Sequence, residues 1–479
     1  MADSNPSEEQ KRHARYVLYV VSLGLILVAL NHRAIQIALP TLTHVFHTDL
    51  SFIQWVLLVY DLAVIGLVLT VGRLGDLFGR KRFYVAGFLL FTAGSVLCAV
   101  AQSALQLISY RVIQGLGGAM VVANGRALVS VNTPTTERGK ALGLTSTAFH
   151  VGYMTGPTLG GFLIDTVGWR SIFFLNIPLG LTCAYWAWRV LRDRPRSEQT
   201  IKVDLAGATL LLLANISFVS ALNQLPHLGA LHPLVVCFFV LSLTSLFWFV
   251  RTERRAENPI LQLGLFRGRL FTTANLSLFF ITSTQSAISV LVPFYLQNLR
   301  GFTPAQMGWI IIANSVVIIM VAPVAGWLSD RLGSRLLCTA GAGIIAIGQF
   351  LIGSLTLESS IFQIVLPQAL TGLGWAIFNS PNQSAILGAV SRDQVGAASG
   401  MTITTARVGG AIGIALSGAI LTHVLRRSGL TTAEIEAPQS WSTSPLLFLT
   451  AFSFTVHLLN AFAVLAIVFS AMRGAKQAE

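Results

Sequence analysis

One aspartate and four arginines lie inside long apolar stretches of this 479-residue chain: Asp61, Arg33, Arg111, Arg126 and Arg407. A charge within an apolar helix is costly, so each must face a polar cavity or meet a partner. Their chemistry is electrostatic rather than covalent. A carboxylate in such a place carries a proton or recognises a cation. A guanidinium offers a rigid fork to a carboxylate or phosphate. With four cations set against one anion, a low-dielectric cavity among them would favour anions and repel cations. Internal pairing is the alternative. Arg33 and Asp61 fall at similar depth, roughly 10 to 15 Å from the nearer helix ends at about 1.5 Å per residue. As a buried ion pair they would leave no charge for a ligand. His32, His150 and His457 are the other titrating groups in apolar runs. Each could hold a proton near neutral pH, although a lone histidine there is more often a hydrogen-bonded packing residue.

The elements that position these groups are membrane helices. Hydrophobic residues make up 54% of the chain and charged residues only 11%, against about 25% charged in ordinary soluble domains. The runs are too long for strands and lack alternation. At about 20 apolar residues per crossing, the chain divides into fourteen spans: 16–38, 51–72, 82–102, 105–127, 141–163, 171–191, 205–224, 232–251, 271–293, 305–327, 336–355, 361–384, 399–422 and 447–471. The net charge of +13 is gathered in short loops, the pattern of a membrane protein and not of a nucleic-acid binder. Arg170, Arg300, Arg426 and Arg427 are the basic residues of one side, and nearly all the others fall in the opposite loops and termini. That asymmetry places both termini in the cytoplasm of a cell (plasma or inner) membrane. Cys98, Cys183, Cys237 and Cys338 have no ligand spacing, so neither a disulfide framework nor a metal site is expected. No nucleotide-binding pattern occurs, and no cofactor is expected.

Two loops carry the same grammar. Gly72-Arg-Leu-Gly-Asp76-Leu-Phe-Gly79-Arg80-Lys-Arg82 follows span 2, and Gly326-Trp-Leu-Ser-Asp330-Arg331-Leu-Gly333-Ser-Arg335 follows span 10. The chain is therefore built from two related parts. Matching the loops pairs spans 1–6 with spans 9–14 and leaves spans 7 and 8 over. The expected domains are an N-terminal six-helix bundle (1–192), a linker with two extra transmembrane helices (193–269) and a C-terminal six-helix bundle (270–479).

These loops resemble the signature of the major facilitator superfamily, and the six-plus-two-plus-six layout resembles its fourteen-span drug/proton antiporter branch, the EmrB/QacA type. Further stretches carry the likeness. Arg111-Val-Ile-Gln114-Gly115 is similar to the family's span-4 motif, whose arginine is implicated in proton coupling. Gly152-Tyr-Met-Thr-Gly156-Pro157-Thr-Leu-Gly160 is similar to the antiporter motif, with glycines on one helical stripe that permits close packing and a proline that adds a bend. The resemblance implies an all-α integral membrane protein of the major facilitator fold with fourteen transmembrane helices. It implies a conformational gate at Gly72, Asp76, Arg80, Arg138, Asp330, Gly152, Gly156 and Pro157, in which Asp76 locks the bundles together and Arg138 is its plausible partner. One departure matters. The family carries an aspartate at the position of Asn31 and a small residue at that of Arg33. Asn31 cannot ionise, so Asp61, with Arg111 and His32, is left to carry proton coupling.

The function expected is secondary active transport, a proton-coupled efflux of amphiphilic or anionic organic compounds by alternating access, with no enzymatic activity. Candidate substrate-contacting residues are Asn31, Arg33, Trp55, Tyr60, Arg126, Gln285, Asn314 and Asn379. Asn31 and Arg33 are about 200° apart on a helix, so both cannot face one cavity. The alternatives are a multidrug cation exporter, a transporter of lipids or their precursors, and a membrane sensor or scaffold. Partners are the bilayer, protons and a small molecule, not nucleic acid, and the chain is expected to be a monomer.

Overall fold

The computed structural model describes residues 8–133, 138–192, 205–229, 231–255, 263–390, 395–431, 434–435 and 444–473. The described elements are helical throughout. The first series is α1 (Glu8–Phe46), the short α2 (Leu50–Ile53), α3 (Trp55–Phe78), α4 (Arg80–Ala99), α5 (Ala104–Asn132), α6 (Arg138–Val167) and α7 (Ser171–Val190). Then come α8 (Leu205–Leu228) and α9 (Pro233–Glu253). The second series is α10 (Arg269–Phe294), extended by a π-helical turn (Tyr295–Leu299), then α11 (Pro304–Leu332), α12 (Ser334–Gly353), α13 (Ile361–Gly388), α14 (Val395–Arg427) and α15 (Pro445–Ala471). In hydrocarbon every backbone N–H and C=O must be satisfied within the segment, and helices do this.

Among the described residues, twelve stretches are long and apolar enough to cross a membrane. The fourteen-span expectation counted two more, and those correspond to α6 and α8. In α6 glycines and threonines lower the apolar character, and in α8 the apolar run among the described residues is the shorter Thr209–Leu225.

The packing repeats. In the first series α4 lies on α5, α1 on α6, α3 on α5, α4 on α7 and α1 on α7. In the second, α12 lies on α13, α10 on α14, α11 on α13, α12 on α15 and α10 on α15, the same five pairings in the same order. The connections agree. Gly79 between α3 and α4 has φ 107°, and Gly333 between α11 and α12 has φ 79°. Each doubles as C-cap and N-cap in a one-residue turn, a conformation that a Cβ would strain. The repeated glycine of the two loops is thus a backbone requirement.

Glycines also set the spacing of α6. A Cβ on Gly152 would fall 2.2 Å from the carbonyl oxygen of Ile26, and one on Gly160 would fall 2.7 Å from the Ala34 Cβ, both on α1. On the neighbouring stripe, a Cβ on Gly161 would fall 2.1 Å from the carbonyl oxygen of Pro304, and one on Gly308 would fall 2.6 Å from that of Pro157. Thus α6 is held between α1 of its own series and α11 of the other. Gly152→Val drives a branched side chain into α1 backbone that cannot yield. It should lower the thermal unfolding temperature in detergent, at a cost of about 1–3 kcal/mol. Gly343→Ala, at a site with open space, should leave that temperature unchanged or raise it.

Candidate functional site

Between the two series lies a cavity of about 250 Å³. From the first series α1 contributes His32, Arg33 and Gln36, α3 contributes Asp61, and α6 contributes Phe149, His150 and Tyr153. From the second, α10 contributes Gln285, Ser286 and Ser289, α11 Asn314, α13 Gln368, Thr371 and Trp375, and α14 Arg407. Apolar residues such as Val28, Ile288, Val292 and Ile311 fill the rest of the wall. An apolar lining with a few converging polar groups is the usual make-up of a small-molecule site.

The ion pair in this cavity is not the one left open by depth alone. Asp61 Oδ1 accepts a hydrogen bond from Arg407 Nη1 at 2.6 Å, joining α3 to α14 across the cavity. His32 Nδ1 stands 3.9 Å from the same oxygen. Arg33 turns elsewhere. Its Nη1 donates to Gln36 Oε1 one helical turn on, and its guanidinium lies 4.2 Å above the Tyr153 ring. Its Nε has no hydrogen-bond partner. The depth estimate ranked Arg33 with Asp61 because it carries no azimuth; the arginine that meets Asp61 comes from the other series.

Asn31 lies away from the lining. Fully buried, its Oδ1 accepts from Asn176 Nδ2 at 2.6 Å and from Gln114 Nε2 at 3.5 Å. Gln114 Nε2 also donates to Ser95 Oγ at 2.7 Å. Arg111 closes this neutral network: its Nη1 donates to Gln114 Oε1, its Nε donates to the Val56 carbonyl at 2.9 Å, and it sits 4.3 Å over Tyr60. Tyr60 is therefore packed inside the first series and does not line the cavity. Trp55 packs partly buried against the main apolar core. Asn379 is half-buried on α13 and also off the lining. Of the expected substrate contacts, the cavity collects Arg33, Gln285 and Asn314, with His32 and Asp61 from the coupling set. The side chains of Arg126, Asp76, Arg138 and Asp330 lie outside the described residues. Arg80 donates to the Ala127 carbonyl at 3.1 Å, tying α4 to α5, and Gly72 lies on α3 facing Ala123 of α5.

Sequence reasoning passed over Gln36, Tyr153, Ser286, Ser289, Gln368 and Thr371. Only Gln36 carried a signal, standing three residues after Arg33 on one helical face. Gln285 is oriented from behind: its Oε1 accepts from Gln349 Nε2 at 3.0 Å, and Gln349 Oε1 accepts from Thr284 at 2.7 Å. Asn314 Nδ2 donates to Thr371 Oγ1 at 2.9 Å and to the Gln368 carbonyl at 3.2 Å.

One end of the cavity is tied shut by neutral contacts between the series. Gln297 Nε2 donates to Thr41 Oγ1 at 3.3 Å, His44 meets Asn298 at 3.2 Å, Ser51 meets Thr422 at 2.9 Å, and Gln54 Nε2 donates to Ser417 Oγ at 3.2 Å. This is the end that carries the α1–α2 and α10–α11 connections. From α8, Asn223 Nδ2 donates to the Ser51 carbonyl at 2.5 Å and joins the same cluster.

A family model described as Major Facilitator Superfamily matches residues 21–266 and 274–469. The chain is 31% identical over 402 residues to the riboflavin transporter RibZ of Clostridioides difficile (strain 630), covering 83% of this chain and 86% of that protein. It is 31% identical over 405 residues to the multidrug resistance protein Stp of Mycobacterium tuberculosis (strain ATCC 25618 / H37Rv), covering 84% of this chain and 75% of that one. Among solved structures, it is similar to an inward-facing, unoccupied bacterial homolog of the human lysosomal transporter Spinster. There the TM-score is 0.70 at 15% identity, with 98% of this chain and 100% of that chain covered. The POT family transporter PepTSo gives a TM-score of 0.66 at 16% identity over 96% of this chain and 97% of that one. At such identities the structural likeness speaks for the fold.

Removing one partner of a buried ion pair leaves an uncompensated charge. Asp61→Asn and Arg407→Gln should each destabilise the protein, by up to about 3 kcal/mol. The double variant should lose less than the two singles added together, as read by thermal unfolding in detergent.

Proposed function

The chain belongs to the major facilitator superfamily, and from that premise we propose that it is a proton-coupled secondary transporter exporting amphiphilic or anionic organic compounds by alternating access. The observation that carries this reading is the cavity between two matching helical series, crossed by the Asp61–Arg407 pair and tied shut at one end. A transporter of this build binds its cargo midway through the bilayer and rocks one repeat against the other. We read the helices as six plus two plus six, counting α6 and α8 as crossings. The paired packing of the two series and the position of α8 and α9 between them in the chain support that count. With both termini in the cytoplasm of the plasma membrane, the tied end faces outward. The chain then stands in an outside-closed state, working as a monomer on small molecules and performing no catalysis.

Asp61 is assigned the coupling proton. It is the carboxylate in the cavity, and it holds α14 of the other series through Arg407. Protonation removes its charge and with it the attraction that joins the series at mid-depth, so a proton favours their rearrangement. His32 lies beside the same oxygen and is the relay candidate. Arg111, packed among neutral amides and the Tyr60 ring, keeps its place in the coupling set as a fixed positive charge behind Asp61. The glycine stripe of α6 and the two signature loops are assigned the gate, with Asp76 and Arg138 as its charged members.

The alternative of a multidrug cation exporter has support for its multidrug part in the likeness to Stp, whose name concerns multidrug resistance. Asp61 is occupied by Arg407 in this state, so a cation would have to displace that arginine. Transport of a lipid or its precursor is a variant of the amphiphile reading, and counterflow in liposomes separates any carrier from a sensor. In proteoliposomes with an imposed pH gradient, Asp61→Asn should abolish proton-driven uphill transport while counterflow exchange persists. Full coupled transport by that variant would overturn the assignment of Asp61.

A further inference from the structure

We infer that the cavity takes an aromatic organic anion, with its carboxylate or equivalent acidic group on Arg33 and its ring against the α6 aromatic wall. The inference rests on the carrier reading above and narrows the substrate class. Two arginines and one aspartate line the cavity. Arg407 is spent on Asp61 at 2.6 Å. Arg33 forms no ion pair among the described residues, and it is only 6% exposed. A buried guanidinium without a counter-charge is an expensive arrangement, and a ligand that brings the missing charge relieves it.

The geometry leaves Arg33 ready for that role. Gln36 Oε1 holds one Nη and the Tyr153 ring supports the flat face of the guanidinium at 4.2 Å. Cation–π support fixes the plane and leaves donor edges free. Nε in particular has no partner. The close approach of α6 that brings Tyr153 there depends on Gly156, whose Cβ would fall 2.6 Å from the Arg33 Cβ. The same helix supplies a shelf for a ring. Phe149 and Tyr153 stack with centroids 6.2 Å apart and 25° between their planes, and both line the cavity. Amide and hydroxyl groups of the opposite wall, Gln285, Asn314 and Thr371, suit the polar edge of a ring system without adding charge.

Three probes of one shape separate charge from bulk: 2-naphthoate, 2-naphthamide and 2-naphthylmethylammonium. Each is measured by ligand-induced thermal stabilisation of the full chain in detergent, and by counterflow in proteoliposomes. Naphthoate should bind the wild type more tightly than the other two. Arg33→Gln should weaken naphthoate by roughly tenfold or more, the scale of a charge-assisted fork, and leave naphthamide unchanged. Arg33→Lys, which keeps the charge and loses the fork, should fall between, and it carries the test alone if Arg33→Gln does not accumulate. The inference is overturned if the ammonium binds as well as naphthoate, if naphthoate gives no stabilisation, or if neither Arg33 variant weakens it. Counterflow of the amide or ammonium in those cases keeps the carrier reading. Binding of naphthoate through Arg33 with no counterflow of any probe overturns the carrier reading and leaves the anion site standing.

Discussion

Taking a carboxylate and a guanidinium out of water costs several kcal/mol each, and their attraction repays it only with good geometry and further hydrogen bonds. That constraint organises the interior of this protein. With a single carboxylate at the cavity, the buried arginines are met in different ways. Arg407 takes Asp61. Arg111 is held by a backbone carbonyl, an amide and a tyrosine face. Arg473, at the far end of α15, donates to Ser277 and Asn382 beneath the Phe378 ring. Among the described residues Arg33 meets Gln36 and Tyr153 without an ion pair, and so the uncompensated charge falls in the wall of the cavity. Positive character there follows from how few acids the helices contain.

Much of the fold could be read from residue types. Long apolar runs become helices because the backbone has no other recourse in hydrocarbon, and the twin loops announced the duplication that the five repeated pairings display. Less was legible where a helix is defined by its neighbours. On α6, glycines and threonines lower the apolar character of a segment that packs on α1 and α11, so hydropathy alone does not mark it as a crossing. The site was legible in part. Helical geometry alone required that Asn31 and Arg33 diverge, and they do: Arg33 faces the cavity and Asn31 joins the amide network of the first series. Depth could not say which arginine reaches Asp61, because a partner 346 positions away in the chain is fixed by the packing of α3 against α14. Tyr153 lay hidden for a similar reason, being one ring inside a stretch whose glycines spoke only of close packing.

The pairing of the two series predicts two equivalent seams between them, since α6 corresponds to α14 and α11 to α3. They are not equivalent. The α6–α11 seam is a direct glycine-lined contact. Along the other, α8 packs on both α3 and α14, with Leu212 filling the space over Gly66 and Asn223 tied to the Ser51 carbonyl. A helix set into one flank breaks the twofold equivalence of the two seams. On the rocking motion proposed above, α8 must slip along one of its two faces or ride with one series, whereas the glycine-lined seam has no third helix to accommodate.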